Sequence, residues 1–467
     1  MRRLITVKQK LLSLLCVSLT LLIASYYIVR TIRKNRKQEA HAQIAASSKE
    51  LKPFVVVGGS AAGTAAIKTL LAKKCPNPIV WIAAQAEPPY NMTLLPSFIT
   101  DNKRFRGMRI AGTKMPDGVD YKFSTAITKL DPTRNELILS SGEHITYSKL
   151  LLATGIRYEL ALGHKHLVSK GVFAYGSFAD GQAIKKFMRQ HAVKDIVIVG
   201  AGIRGLKLAQ ALSNAQYTVN VIEKASTILP RYLDQDGARF VTEHPTSWTL
   251  HTAATIKKVQ LRGGLINEVT LSSGTKIACQ LIIYATAGII NTDFIRHTSI
   301  LRHNNAIIVD KYLRSSINTI YAAGDNCMIN ADYTYKCHGW QEAQHQGIIA
   351  ATNMLGQYKA YHEDCAYHTL TLGTTSIVMA GHTHQTPTAW QRIVYQDKSY
   401  YHLFVVHNDR LKGFCLLGFY KSFDVMRLRR AIGKQAPINE ALLESCHKSV
   451  IASIISSFSM VKNKRGR

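Results

Sequence analysis

Acidic residues are scarce in this chain of 467 residues, with 29 Asp and Glu against 59 Lys and Arg and a formal net charge of +30. That balance points to anionic company: an acidic electron-carrier protein, anionic lipid headgroups or nucleic acid. A generally basic proteome is the bland alternative. Close cysteine pairs are missing too. The eight cysteines are scattered and none forms C-x-x-C, which excludes a zinc site and a disulfide scaffold and suits a reducing compartment. No metal site is expected. Long uncharged runs are rare, the clear case being residues 11–29, LLSLLCVSLTLLIASYYIV, 19 residues without a charge.

What the chain does have is a buried strand running into glycines. Residues 54–66 read FVVVGGSAAGTAA, so Val55, Val56 and Val57 lead into Gly58, Gly59, Ser60, Ala61 and Gly63, with a helical stretch over 64–73. Such a turn lets backbone pass under a pyrophosphate with no side chain in the way, while the helix start presents free N–H groups to the anion. In a dinucleotide site an acidic residue at the end of the next strand, 79–83, holds the ribose hydroxyls. Here Ala84 and Gln85 stand there, with Glu87 a little further on as a substitute.

A second copy is fuller. Residues 195–205 read DIVIVGAGIRG, which gives Gly200, Gly202, Ile203 and Gly205 the complete G-x-G-x-x-G spacing. Glu223 follows Gly200 by 23 residues, at the end of the next strand. A carboxylate there accepts from an adenosine ribose and repels a 2′-phosphate, so it selects NADH over NADPH. A solvent-facing loop carboxylate is the competing reading. Strand-then-glycine turns recur at Ala153-Thr154-Gly155 and at Gly324-Asp325, and a helix is expected over about 341–355. Alternating aromatic and β-branched residues over 366–420 predict a mostly β unit with a helix near 422–432. An apolar stripe over 439–462 with a basic end reads as a last helix, packed on the protein or laid on a membrane surface.

Together these stretches resemble the flavin-dependent pyridine nucleotide oxidoreductases. Within them the chain is similar to rubredoxin and ferredoxin reductases, the flavin part of NADH-dependent nitrite reductases, and apoptosis-inducing factor. Pro89-Tyr90-Asn91 with Leu94-Leu95, YSKLLLATG at 147–155, IVDKYLRS at 308–315, IYAAGD at 320–325 and WQEAQHQGIIAATNMLG at 340–356 carry the resemblance, which covers about residues 53–435. It implies an α/β fold of two Rossmann-like nucleotide domains, the NAD domain inserted in the FAD domain, plus a C-terminal α+β domain. The boundaries implied are a basic N-terminus 1–10, a transmembrane helix 11–29 and a basic linker 30–52. The FAD domain then spans 53–165 and 288–360, the NAD domain 166–287 and the interface domain 361–435, before a helix and basic tail at 436–467. By the same likeness the first cradle, the ATG turn and Asp325 hold FAD, with amides near Gln344 facing the flavin ring, and the second cradle holds NADH.

The departures are specific. The family's ribose glutamate falls on Ala84 or Gln85, its arginine after PYN is Met92, its lysine is Ser97, and the glutamate of the second motif's helix is Lys207. Lys207 is therefore expected either to supply a positive charge beside the flavin or to point to solvent. No cysteine stands in residues 90–98, which removes thiol-based disulfide and peroxide chemistry. The expectation is an FAD enzyme taking electrons from NADH to an acidic rubredoxin- or ferredoxin-like carrier. An NADH:quinone reductase and an apoptosis-inducing-factor-like protein binding nucleic acid or lipid are the alternatives. Residues 11–29 are expected to be an uncleaved anchor, with a cleaved signal peptide as the rival. Basic residues flank them on both sides and do not set orientation, so the body is placed in the cytoplasm by its need for reduced nicotinamide.

Overall fold

The computed structural model describes residues 51–433, apart from 102–103, 111–114, 161, 287, 330–338, 363–366, 385–386, 419 and 421. The expected anchor, the basic linker before residue 51, the C-terminal helix and the basic tail lie outside the described residues. Among those that are described, no helix is long and apolar enough to cross a membrane.

The chain starts with an all-buried strand, β1 (Phe54–Val57), followed by helix α1 (Ala61–Ala72) and strand β2 (Ile79–Ile82), also all buried. Continuous apolar strands of this kind suit a parallel sheet covered on both faces. β1 pairs in parallel with β2, which pairs with β3 (Val119–Lys122), and on its other side with β4 (Lys149–Leu152). An antiparallel three-stranded sheet over Ile127–Asp131, Glu136–Leu139 and His144–Thr146 is inserted before β4.

Residues Ile156–Arg157 then lead into a second parallel sheet. Its strands are β5 (Val172–Ala174), β6 (Asp195–Val199), β7 (Thr218–Ile222), β8 (Thr249–His251) and β9 (Leu281–Tyr284), in the order β8-β7-β6-β9-β5. Helix α2 (Phe178–Gln190) begins two residues before the expected Asp180. The reason is a capping box: Ser177 Oγ accepts from the Asp180 amide while Asp180 Oδ2 accepts from the Ser177 amide. Helix α3 (Ile203–Asn214) links β6 to β7. Ile289–Ile290 returns antiparallel to Ile156–Arg157, so two short strands join the sheets. The first sheet is completed by β10 (Ile320–Ala322), which pairs with β4, and helix α4 (Trp340–Met354) covers it.

The C-terminal unit is a five-stranded antiparallel sheet. It comprises β11 (Tyr367–Leu372), β12 (Thr375–Gly381), β13 (Gln391–Asp397), β14 (Tyr400–His407) and β15 (Arg410–Gly418), followed by helix α5 (Ser422–Gly433). The first parallel sheet has its own core around Trp81, Leu151 and Ile320. A second core is shared: Ile196, Leu206 and Val241 of the inserted domain pack in one cluster with Leu403, Cys415 and Leu417 of the antiparallel sheet.

Candidate active site

Both cradles form where a central parallel strand ends. Gly58 has φ +125°, and a Cβ there would lie 2.0 Å from the Ala153 carbonyl oxygen at the end of β4. Gly63 brings α1 against the turn, since a Cβ on it would lie 1.9 Å from the Gly58 oxygen. Trp81, 1% exposed on β2, donates its indole N–H to that same oxygen at 2.8 Å. Ser60 is the N-cap of α1, yet its side chain makes no capping bond, and Thr64 Oγ1 is buried without a partner among the described residues. The helix start therefore keeps donors available for an anion.

The second cradle repeats the geometry. Gly200 has φ +111°, and a Cβ on Gly205 would lie 1.9 Å from the Gly200 oxygen. Gly202, the N-cap of α3, faces open space, with nothing within 4 Å of an added Cβ. Glu223 is 8% exposed and is held by two amides, accepting from Ala201 N at 2.7 Å and from Ala225 N at 2.9 Å. Its carboxylate lies against the glycine loop, so the reading of Glu223 as a solvent-facing loop residue is not borne out. In the first cradle the corresponding residue, Gln85, behaves in the opposite sense. Its Nε2 donates to the carbonyls of Gly59 at 3.4 Å and Glu87 at 3.1 Å. Glu87 meets the site through its carbonyl in this contact.

Three further turns gather at the first cradle. Gly324, with φ +86°, donates its amide to Gln346 Oε1 of α4 at 2.7 Å. Asn326 Nδ2 donates to the Leu152 oxygen at 2.9 Å and to Thr154 Oγ1 at 3.3 Å, and Thr154 Oγ1 donates to the Asn291 oxygen at 2.6 Å. Gly155, with φ +60°, accepts from the Asn291 amide at 2.9 Å. Asp325 is half-buried between Gly324 and Asn326. Helix α4 approaches α1 backbone to backbone, because a Cβ on Gly347 would lie 2.1 Å from the Ala62 oxygen. Gln344 is not at the start of that helix. α4 begins at Trp340, and by residue 343 the amide already bonds within the helix, Ala343 donating to Gly339.

Lys207 is half-buried on α3, and burial pushes its pKa down. No hydrogen-bond or carboxylate partner is recorded for its amine among the described residues. Its titratable neighbour is His368 on β11, whose pKa is pressed down to about 4 by burial first and by Lys207 second. His368 packs edge-on to Tyr232 at 5.0 Å. The lysine thus lies at the seam between the inserted domain and the antiparallel sheet, and pointing freely into solvent does not describe it.

Sequence reasoning missed Arg204. Its guanidinium lies 3.5 Å from the centre of the Tyr158 ring, just past the joining strand Ile156–Arg157, and 5.1 Å from that of Tyr175, just past β5, so it fastens the start of α3 to both. The signal available was an arginine inside the glycine motif. Cys327 is fully buried, and burial pushes its thiol pKa up, which suits a packing role and not a reactive thiol. His345 packs against Tyr361 at 5.5 Å, in keeping with a structural role.

The residues present fit the two dinucleotides. Each cradle is bare where a Cβ would intrude, each has a helix start aimed at the turn, and the second carries its carboxylate in place. The fit for FAD differs from the resemblance at Gln85, a neutral amide where a glutamate was implied.

Human apoptosis-inducing factor 3 is 25% identical over 316 residues, which cover 65% of this chain and 51% of that protein. The chain therefore spans about half the length of that relative. The NADH-rubredoxin oxidoreductase of Clostridium acetobutylicum is 28% identical over 334 residues, covering 70% of this chain and 81% of that one. Among solved structures, the reductase of a covalent putidaredoxin reductase–putidaredoxin complex superposes with a TM-score of 0.75 at 18% identity, covering 86% of this chain and 98% of that one, and so shares the fold. The profile of the pyridine nucleotide-disulphide oxidoreductases matches residues 52–347, and the chain belongs to that family.

Proposed function

We propose that the protein is an NADH-dependent flavoprotein that passes electrons to a small acidic redox protein. The observation that carries this reading is Glu223, its carboxylate fixed on the loop between Gly200 and Gly202 at the end of β7. The family uses FAD and a nicotinamide dinucleotide. Gly58, Gly59, Ser60, Ala61, Gly63 and Gln85 would hold the adenosine diphosphate end of FAD. Ala153, Thr154, Gly155, Gly324, Asp325 and the start of α4 would line the way to its ring. FAD, when bound, supplies two-electron acceptance and one-electron release. Gly200, Gly202, Ile203, Gly205 and Glu223 orient NADH, and Glu223 accepts from its ribose hydroxyls. Lys207 would supply a positive charge from the seam between the inserted domain and the antiparallel sheet.

The absence of cysteine in residues 90–98 supports an acceptor outside the chain, and the basic balance supports an acidic one. Two relatives, an NADH-rubredoxin oxidoreductase and a reductase solved in complex with putidaredoxin, support the same choice. The uncharged run over 11–29 supports a single-pass anchor, with the body on the cytoplasmic side, where reduced nicotinamide is held.

Anaerobic titration of the purified yellow protein tests the reading. NADH should bleach the flavin band, and rubredoxin or ferredoxin should restore it. A protein that takes up no flavin, or a bleached band restored only by quinone, overturns it.

A further inference from the structure

The parallel sheet that carries the first cradle has an opposite edge, where its strands start. β1 begins at Phe54, in register with Lys149, the first residue of β4. The Pro53 carbonyl accepts from the Ser148 amide at 2.8 Å, and the Lys52 carbonyl accepts from Asn77 Nδ2 at 2.8 Å. The described chain therefore enters the body at this edge. Helix α1 runs from the cradle and ends here, and Lys73, its C-cap, reaches Gln357 Oε1 just beyond the end of α4 at 2.9 Å.

Cations and aromatic rings gather around that entry. Lys52, Lys73, Lys311 and Lys359 are exposed, and Lys149 and Arg314 are half-buried. The Arg314 guanidinium lies 5.2 Å from the centre of the Tyr312 ring and 5.9 Å from that of Tyr358, and Lys311 Nζ lies 5.3 Å from Tyr312. Lys149 is near enough to Arg314 for that charge, after burial, to press its pKa down. Nearby acids are already engaged: Asp310 by Arg314 at 2.8 Å, and Asp131 and Glu136 by Arg134 at 2.9 and 3.3 Å. Tyr358 is 76% exposed. An amphipathic ring displayed beside cations suits the headgroup level of a bilayer.

We propose that this edge lies against an anionic membrane surface, with lipid phosphates facing Lys52, Lys73, Lys311 and Lys359 and the Tyr358 ring among the headgroups. This placement rests on the proposed anchor over residues 11–29. Residues 30–50 can span no more than about 70 Å, so an anchored body stays near the bilayer, and the edge where the chain enters is the nearest along the chain. An electron carrier is a poorer occupant, because α1, about 18 Å long, separates this edge from the cradle that would hold the flavin dinucleotide.

Hydrogen exchange on the full-length FAD-loaded protein tests it, in nanodiscs of phosphatidylcholine alone and of an equal mixture with phosphatidylglycerol. Amides over 311–314 and 356–359 should exchange more slowly in the anionic discs, and high salt should remove the difference. Each surface cation biases docking toward an anionic bilayer about fivefold, so Lys73→Gln combined with Lys359→Gln should return exchange to the rate in neutral discs. Both lysines are exposed and lie outside the cradles, so flavin uptake should be unchanged. A chain that enters neither disc yet floats with phosphatidylglycerol vesicles, and fails to float as the double variant, overturns the anchor and upholds the face. Insertion into both discs with equal exchange overturns the face and upholds the anchor. Protection of the same amides by added rubredoxin in neutral discs gives the face to a carrier and overturns the proposal. No association with lipid overturns both.

Discussion

At the scale of single residues, electrostatics in the seam has measurable consequences. His368 is held neutral in the folded protein, with its pKa at about 4 against an ordinary value of 6.5. As pH falls through 6.5 the unfolded chain takes up this proton while the folded one refuses it until about 4. Folding stability should therefore decline over that window at roughly 1 kcal/mol per pH unit, and the contribution is fully present above it. His368→Gln should flatten the acid limb of a denaturation series. Lys207→Met removes the nearby positive charge, so it should raise the pKa of His368, as an NMR titration of the ring would show. The same substitution should slow flavin reduction by NADH if the lysine acts on the flavin as proposed, and an unchanged rate would remove that role. Glu223 offers a second reading at this scale. Replacing it with glutamine keeps the shape but loses the charge that repels a 2′-phosphate, so the preference for NADH over NADPH in Kd should fall about tenfold.

At the scale of elements, the two glycines that begin α3 separate folding from binding. Gly205 carries the close approach, a Cβ there meeting the Gly200 oxygen at 1.9 Å, whereas Gly202 faces open space. Gly205→Ala should push α3 off β6 and lower the thermal midpoint of the protein without ligand. Gly202→Ala should lower that midpoint by only a few degrees, the modest cost of a poorer N-cap at a position with open space for the methyl group, but should weaken NADH by an order of magnitude or more by filling the pyrophosphate path. Equal loss of stability in both variants would show that the cradle is not shaped as described. These glycines were legible in the sequence because their constraint is local: a strand, a turn and a helix within about a dozen residues write their own pattern. Glu223 was legible for the same reason, one strand further on. Gln85 was legible as a missing acid, but not as a donor to Gly59, because nothing in the spacing says that its amide turns back onto the loop. The start of α4 was legible to within a residue, but not which amides open it, because Gly339 has no side chain to mark a cap. Arg204 went unread because its partners are distant in the chain: Tyr158 follows the joining strand and Tyr175 follows β5, and both reach α3 only once the second sheet is assembled.

At the scale of the whole molecule, the inserted domain is fastened to the antiparallel sheet more firmly than two domains meeting at a polar cleft would be. They share an apolar core, and Asp234 closes its rim. Its Oδ1 caps the helix Gln235–Glu243 through the Gly237 amide at 2.9 Å, while its Oδ2 accepts from Tyr401 at 2.5 Å and from Arg392. Thr383 adds a bond to the Tyr232 carbonyl at 2.6 Å, and Gln210 accepts from the Gly373 amide at 2.7 Å. Asp234 and Arg392 are 158 residues apart, so no local pattern could pair them. With the Asp234 side chain only 10% exposed, removing it breaks a cap and leaves an arginine and a buried phenol without their acceptor. Burial and the aspartate both push the Tyr401 pKa up, so that hydroxyl stays a donor at neutral pH. Asp234→Ala should cost about 2–4 kcal/mol, the sum of a lost helix cap and a broken partly buried ion pair, and Tyr401→Phe about 1 kcal/mol, the loss of one hydrogen bond. Because the clamp carries the seam that holds Lys207 and His368, Asp234→Ala should also raise the pKa of His368 as water enters, whereas Tyr401→Phe should leave it in place. Thermal unfolding together with the ring titration distinguishes the two: a stability loss with an unmoved His368 would mean that the clamp holds the helix and not the seam.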